Sequence, residues 1–180
     1  MNKSALVVLS AIIAIGLTGC SSTNAKGPDV ADGIRESLKT EGYKDVSVSQ
    51  DRDKGVVTLG GHVPGDGDKA RAESIAKSMA GNQVVANEIA VLPAGVESEA
   101  KAVNSDLDKA IEKNLDAALI QNGMNKDVKY DVKNGVVTLK GDVRSQGERG
   151  DVARVAQSVP NVQQVVNEIQ VKNQRATSPR

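Results

Sequence analysis

The chain contains itself twice. Residues 55–91 align with residues 135–171 at a constant offset of 80 and without gaps, and 16 of the 37 positions are identical. The best-kept stretch is Gly55-Val56-Val57-Thr58-Leu59-Gly60-Gly61-His62-Val63, which returns as Gly135-Val136-Val137-Thr138-Leu139-Lys140-Gly141-Asp142-Val143. Both copies close on the same signature, Asn87-Glu88-Ile89 and Asn167-Glu168-Ile169, each followed two residues later by Val91 or Val171. A duplication of this kind limits the architecture to tandem units of one design. With 180 residues in all, each unit has about seventy, a size at which a single core is thin.

Periodicity supplies the order of elements within a unit. Val30, Ile34 and Leu38 fall four apart, as do Ile111, Leu115 and Leu119, so each unit opens on a helix, stopped by Gly42 and Gly123. Val46 and Val48 alternate with serines, and Val128, Tyr130 and Val132 with charged residues, which is the pattern of a half-buried strand. The turn that follows is two residues longer in the first copy, whereas Asn134-Gly135 predicts a tight hairpin in the second. In the repeated stretch, Val57, Leu59, Gly61 and Val63 share one face with an apolar character; Thr58, Gly60 and His62, or Thr138, Lys140 and Asp142, share the other. One sheet face is therefore expected to be apolar and one wet. Ala72, Ile75, Ala76 and Met79, matched by Val152, Val155, Ala156 and Val159, predict a second helix. Ser145 and Glu148 fit a capping box at the start of its second copy. Val85, Asn87, Ile89 and Val91, with Val165, Asn167, Ile169 and Val171, predict a closing strand parallel to its neighbour. The fold class is α+β: two tandem αββαβ units, each a small mixed three-stranded sheet covered on one face by two helices.

The first twenty residues read as an address. Lys3 precedes an apolar run of about fourteen residues, shorter than the roughly twenty a spanning helix needs. The segment ends in Leu17-Thr18-Gly19-Cys20. That ending resembles a bacterial lipobox, and it holds the only Cys in the chain. The resemblance implies cleavage before Cys20 and attachment of fatty acyl chains, palmitate among them, to its thiol and amine. Several such chains anchor durably where one holds weakly. Ser21 and Ser22 stand where an Asp would imply inner-membrane retention, so the implied location is the outer membrane, facing the periplasm. Residues 1–19 are then a signal peptide, 20–27 the lipidated Cys and a tether, 28–92 the first unit, 93–104 a polar linker, 105–172 the second unit and 173–180 a flexible tail.

The two units carry a resemblance as well. A helix, a hairpin whose second strand reads Gly-Val-Val-Thr-Leu-x-Gly-x-Val, an Ala-centred helix and a last strand with Asn-Glu-Ile-x-Val resemble the BON domain, named for bacterial osmotically inducible and nodulation proteins. Behind a lipobox, the chain is similar to dual-BON outer-membrane lipoproteins. That resemblance implies association with phospholipid and support of the envelope barrier under stress.

Composition excludes several function classes. The 23 Lys and Arg residues balance 23 Asp and Glu, without the positive field of a nucleic-acid binder. No Phe or Trp is present to stack bases. One His and one Cys supply neither a metal cluster nor a nucleophile with its base, so no catalytic residue, metal or cofactor is expected and the chain reads as a non-enzyme. His62 reads as a solvated strand residue, and the two Asn-Glu pairs as structural amides at a strand entry. The remaining lead is charge asymmetry: from Lys126 onward ten Lys or Arg face six Asp or Glu. Lys140, Arg144, Arg149 and Arg154 are the candidate contacts to anionic phospholipid head groups, where each basic residue contributes about 1 kcal/mol. The partners expected are thus a membrane reached through the anchor and anionic head groups. A protein-interaction or chaperone-like module that regulates other envelope proteins is the alternative, using the wet sheet face or the edge strands.

Overall fold

The structure, a computed structural model, describes residues 26–172. The signal peptide, Cys20 and the tail from residue 173 lie outside the described residues. The first unit runs α1 (Ala31–Thr40), β1 (Val46–Asp51), β2 (Val56–Val63), α2 (Asp66–Ala80), β3 (Val84–Asn87) and β4 (Ala90–Val91). The second runs α3 (Glu97–Gln121), β5 (Val128–Lys133), β6 (Val136–Val143), α4 (Gln146–Gln157), β7 (Gln164–Asn167) and β8 (Gln170–Val171). In each unit the hairpin is antiparallel and the closing strand lies parallel to β2 or β6, so the sheets are mixed as expected.

The closing strand is interrupted, which the period-two pattern did not announce. β3 and β4 both pair with β2 in one unbroken register, Leu59 opposite Asn87 and His62 opposite Ala90. Between them the Ile89 N–H turns to the Asn87 side chain at 3.4 Å instead of the ladder. A second irregularity is the glycine that β2 and β6 share. Gly61 and Gly141 have φ of +86° and +126°, and a Cβ would lie 1.9 Å from the Asp45 carbonyl oxygen or 2.1 Å from that of Asp127. Only glycine fits there.

Each core is aliphatic. Ile34, Leu38, Val57, Leu59, Ala72, Ala76, Ala80, Val85 and Ile89 fill the first; Ile111, Leu115, Leu119, Val137, Leu139, Val152, Ala156 and Ile169 fill the second. Met79, expected on the core stripe of α2, is 37% exposed, and Ala80 takes the buried place one residue on. The hairpins differ as their sequences imply. Asn134 and Gly135 both have positive φ, as a two-residue turn of the I′ type needs. The longer first turn is closed by the Asp51 carboxylate, which accepts from the N–H groups of Asp53 and Lys54 at 3.1 and 3.0 Å.

Three expectations are corrected. Residues 97–104, expected as linker, are the first turns of α3. Glu97 and Glu99 sit in its first turn, where carboxylates offset the positive end of the helix, and alanines follow. The tether ends sooner than residue 27, because Gly27 N–H donates to Arg52 O and Arg52 Nε donates to Gly27 O, both at 2.8 Å. The sheet face away from the helices is wet only in part. Val56 and Ala86 of the first unit meet Val136 and Val166 of the second, all at most 5% exposed. The physical reason is that two thin cores leave apolar area on the open faces, and joining the units removes it from water.

Candidate functional site

The repeated Asn-Glu signature is built into this seam. Each Asn closes the break in its own sheet. Asn87 Nδ2 donates to Lys69 O at 3.3 Å, and its Oδ1 accepts from Ile89 N. Asn167 does the same with Arg149 O at 3.1 Å and Ile169 N at 3.2 Å. These bonds tie the closing strand to the first turns of the second helix, in keeping with the structural reading of the amides. Each Glu reaches the other unit. Glu168 accepts from Lys54 Nζ at 2.7 Å, and Glu88 pairs with Lys133 at 3.3 Å, so each hairpin lysine is held by the opposite repeat. Both carboxylates are nearly buried, with 8% and 13% of the side chain exposed. The hydrogen bond to Glu168 raises the Lys54 pKa above its ordinary value against the cost of burial.

Gln164 completes the seam. Its side-chain oxygen accepts from Asn87 N–H at 3.0 Å and its side-chain nitrogen donates to Val85 O at 2.7 Å. The carboxamide thus stands in for a peptide group along the outer edge of β3. Val84, at the equivalent place in the first repeat, has no such chemistry and is 47% exposed. This asymmetry is absent from the strand pattern, because it depends on which repeat presents its edge to the other.

The four basic candidates do not form one patch. Lys140 is exposed on the open face of β6, directly opposite Lys129 of β5. Arg144 is exposed just past β6, and its backbone N–H is held by Glu148 Oε2 at 2.9 Å. Glu148 N–H in turn donates to Ser145 Oγ at 3.1 Å. The cap therefore forms, with the carboxylate reaching one residue further than in a standard capping box. Arg149 is half-buried and donates to Asn167 O at 2.9 Å, and its Nε is buried without a partner among the described residues. Arg154 pairs with Asp151 at 2.7 Å. The sequence reading missed Lys129, although its alternation with Val128 and Tyr130 places it on the same open face as Lys140.

A comparison with protein families matches the BON domain over residues 28–93 and again over residues 107–173. The chain belongs to the BON family. It is similar to osmotically-inducible protein Y of Escherichia coli (strain K12), with 28% identity over 134 residues, 73% of this chain. The match spans 65% of that relative's own length, just under two thirds of it. Among solved structures the chain is similar to the C-terminal domain of CdsD, the structural protein of the type III secretion system of Chlamydia trachomatis, at 13% identity and a TM-score of 0.33, over 79% of this chain and 67% of that one. A second structure of CdsD matches at 15% identity and a TM-score of 0.36, over 80% and 92%.

Two of the clefts between the BON repeats differ in their lining, and only the second borders a candidate residue, Lys140. One of about 340 Å³ has Ile89, Val91, Leu107, Ile111 and Val162 on its apolar side and Asp66, Lys69, Asp108 and Gln163 on its polar side. Burial holds the Lys69 pKa below its usual value, although Asp66, Glu73 and Asp108 act the other way. The low-polarity surroundings disfavour the charged ammonium. The second, of about 290 Å³, runs beside Lys54, Lys140, Asp142, Glu168 and Gln170. His62 lies in neither of these, and among the described residues no group of His, Cys, Asp and Glu is placed to hold a metal ion. Among the described residues no helix is long and apolar enough to cross a membrane.

Proposed function

We propose that this BON protein is a non-enzymatic, lipid-anchored envelope protein whose second repeat docks on anionic phospholipid head groups and supports the outer membrane under stress. The observation that carries the reading is the pair Lys129 and Lys140. They face each other across β5 and β6, and among the described residues neither has a carboxylate partner. Like charges directly opposite one another on a sheet cost stability; a phosphate bound between them removes that cost. Arg144 is exposed just past the end of β6, whereas Arg149 and Arg154 are engaged within the protein.

Position supports the reading too. Lys26 is held by Asp53 at 3.3 Å. It lies six residues after Cys20, so the chain between them reaches at most about 21 Å. Through Lys54, that hairpin adjoins the cleft that holds Lys140. An acylated Cys20 would therefore keep these lysines beside the bilayer. The name of the Escherichia coli relative supports a role under osmotic stress.

Co-flotation of residues 21–180, made without the signal peptide and Cys20, with zwitterionic or anionic vesicles at low and high salt tests the reading. Binding to anionic vesicles that fades with salt is expected; Lys140→Gln with Arg144→Gln removes it, and Arg154→Gln leaves it. Undiminished binding by the Lys140 and Arg144 double variant overturns the proposal.

A further inference from the structure

The outer edge of β5 is open, whereas that of its counterpart β1 is partly engaged. In an antiparallel ladder, residues whose N–H and C=O face the partner strand alternate with residues whose groups point away. The Asp142 N–H reaches Asp127 O at 3.4 Å, so Asp127, Lys129, Asp131 and Lys133 face β6. Val128, Tyr130 and Val132 therefore present their main-chain groups outward. In the first repeat two of the equivalent groups are occupied. Val46 N–H donates to Tyr43 O at 3.3 Å, and the Arg35 guanidinium donates to Val48 O at 2.9 Å. In α3 the residue equivalent to Arg35 is Asp116, as the shared stops at Gly42 and Gly123 and the bonds from Tyr43 N to Leu38 O and from Met124 N to Leu119 O establish. A carboxylate cannot donate to a carbonyl. Among the described residues no group hydrogen-bonds the outward main chain of Val128, Tyr130 or Val132.

We propose that this edge is a dimer seam, on which a second copy of the chain lays its own β5 antiparallel about a two-fold axis at Tyr130. The outward parity permits that centre, since Tyr130 then meets Tyr130 as a hydrogen-bonded pair. The sequence of the strand is self-complementary about it. Val128 falls opposite Val132, Lys129 opposite Asp131, and Asp127 opposite Lys133, each twice. Centring on Asp131 instead keeps the outward parity, with Tyr130 opposite Val132, but sets Asp131 against Asp131 and Lys129 against Lys133. All four charged residues are exposed in the single chain. Lys133 also holds Glu88 of its own chain, so Lys129 and Asp131 select the register. Charged residues on an edge ordinarily deter strand addition; here each has its opposite in the copy, so they deter other strands and admit this one. The contact is isologous and closes on itself, which gives a dimer and not a fibre.

Sedimentation of residues 21–180, the chain without its signal peptide and Cys20, in the absence of lipid and over a range of concentration, tests this independently of phospholipid docking. A dimer is expected, with the Val128, Tyr130 and Val132 N–H groups protected from hydrogen exchange only where it forms. Lys129→Asp or Asp131→Lys alone sets like charges opposite each other and weakens it about tenfold or more. Mixing the two single variants, or joining both changes in one chain, restores the pairing and the dimer. That rescue separates a seam effect from a folding defect. A chain that stays monomeric at millimolar concentration, or a dimer indifferent to the single changes, overturns the proposal.

Discussion

Gly141→Ala tests why β6 carries a glycine opposite Val128, at the place where β5 begins. A methyl group there would sit 2.1 Å from the Asp127 carbonyl oxygen. Carbon and oxygen first touch at roughly 3.3 Å, so the two atoms would overlap deeply. The obstacle is backbone, and it yields only if β5 moves. The positive φ of Gly141 adds about 1–3 kcal/mol of conformational cost for any L side chain. Displacing Asp127 also weakens its contact with the Asp142 N–H, worth about 1 kcal/mol at most. The total is about 3 kcal/mol, a large share of the roughly 5–15 kcal/mol that small domains hold. Gly150→Ala is the control within the same repeat. Gly150 lies inside α4 with nothing within 4 Å of an added methyl. Alanine should stabilise that position by about 0.5–1 kcal/mol. With a urea slope of about 2 kcal/mol/M, the two unfolding midpoints should separate by about 2 M. A cost below about 1 kcal/mol for Gly141→Ala would refute the reasoning, because neither the close approach nor the positive φ would then constrain the strand.

Other outcomes follow from single contacts. Gln164→Ala leaves Asn87 N–H and Val85 C=O of the first repeat without partners. It should cost about 2 kcal/mol and speed hydrogen exchange at Asn87, although the change is made in the second repeat; unchanged exchange there would count against the seam. Leu139 is fully buried in the second core, and Leu139→Ala should cost about 3 kcal/mol by urea unfolding. The hydrogen bond from the Lys54 N–H, the largest influence, holds the Asp51 carboxyl below its ordinary value of 3.8, with the Lys54 ammonium and the Asp53 N–H acting the same way. A pKa depressed by folding contributes stability that is fully present above the unfolded value and is lost as pH falls through the folded one. The urea midpoint should accordingly drop less on acidification below pH 3.8 in Asp51→Asn than in the parent chain, and equal drops would remove Asp51 from the acid response.

Much of the fold is local in origin. The 3.6-residue stripes of Ile34 and Leu38 or Ile111 and Leu115, the two-residue alternation of β2 and β6, and the Asn134-Gly135 turn each state their element through neighbouring residues, and the duplication states it twice. The extension of α3 back to Glu97 was less visible, because residues 97–110 are largely exposed and carry no core stripe; helix propensity and the acidic first turn alone determine it.

The seam belongs to tertiary structure. Val56, Ala86, Val136 and Val166 look in sequence like ordinary strand residues on a wet face, and only the meeting of the two sheets buries them. The pairing of Glu88 with Lys133 and of Glu168 with Lys54 joins residues 45 and 114 positions apart, beyond any local period. The basic candidates divide for the same reason: four charges counted along a sequence are equal, but packing turns Arg149 inward to the Asn167 carbonyl and leaves Lys140 opposite Lys129. Sequence alone determined the repeated unit, since its elements depend on short-range periodicity and turn chemistry. Tertiary structure decided which faces stay in water, since that depends on where the second copy of the unit lies.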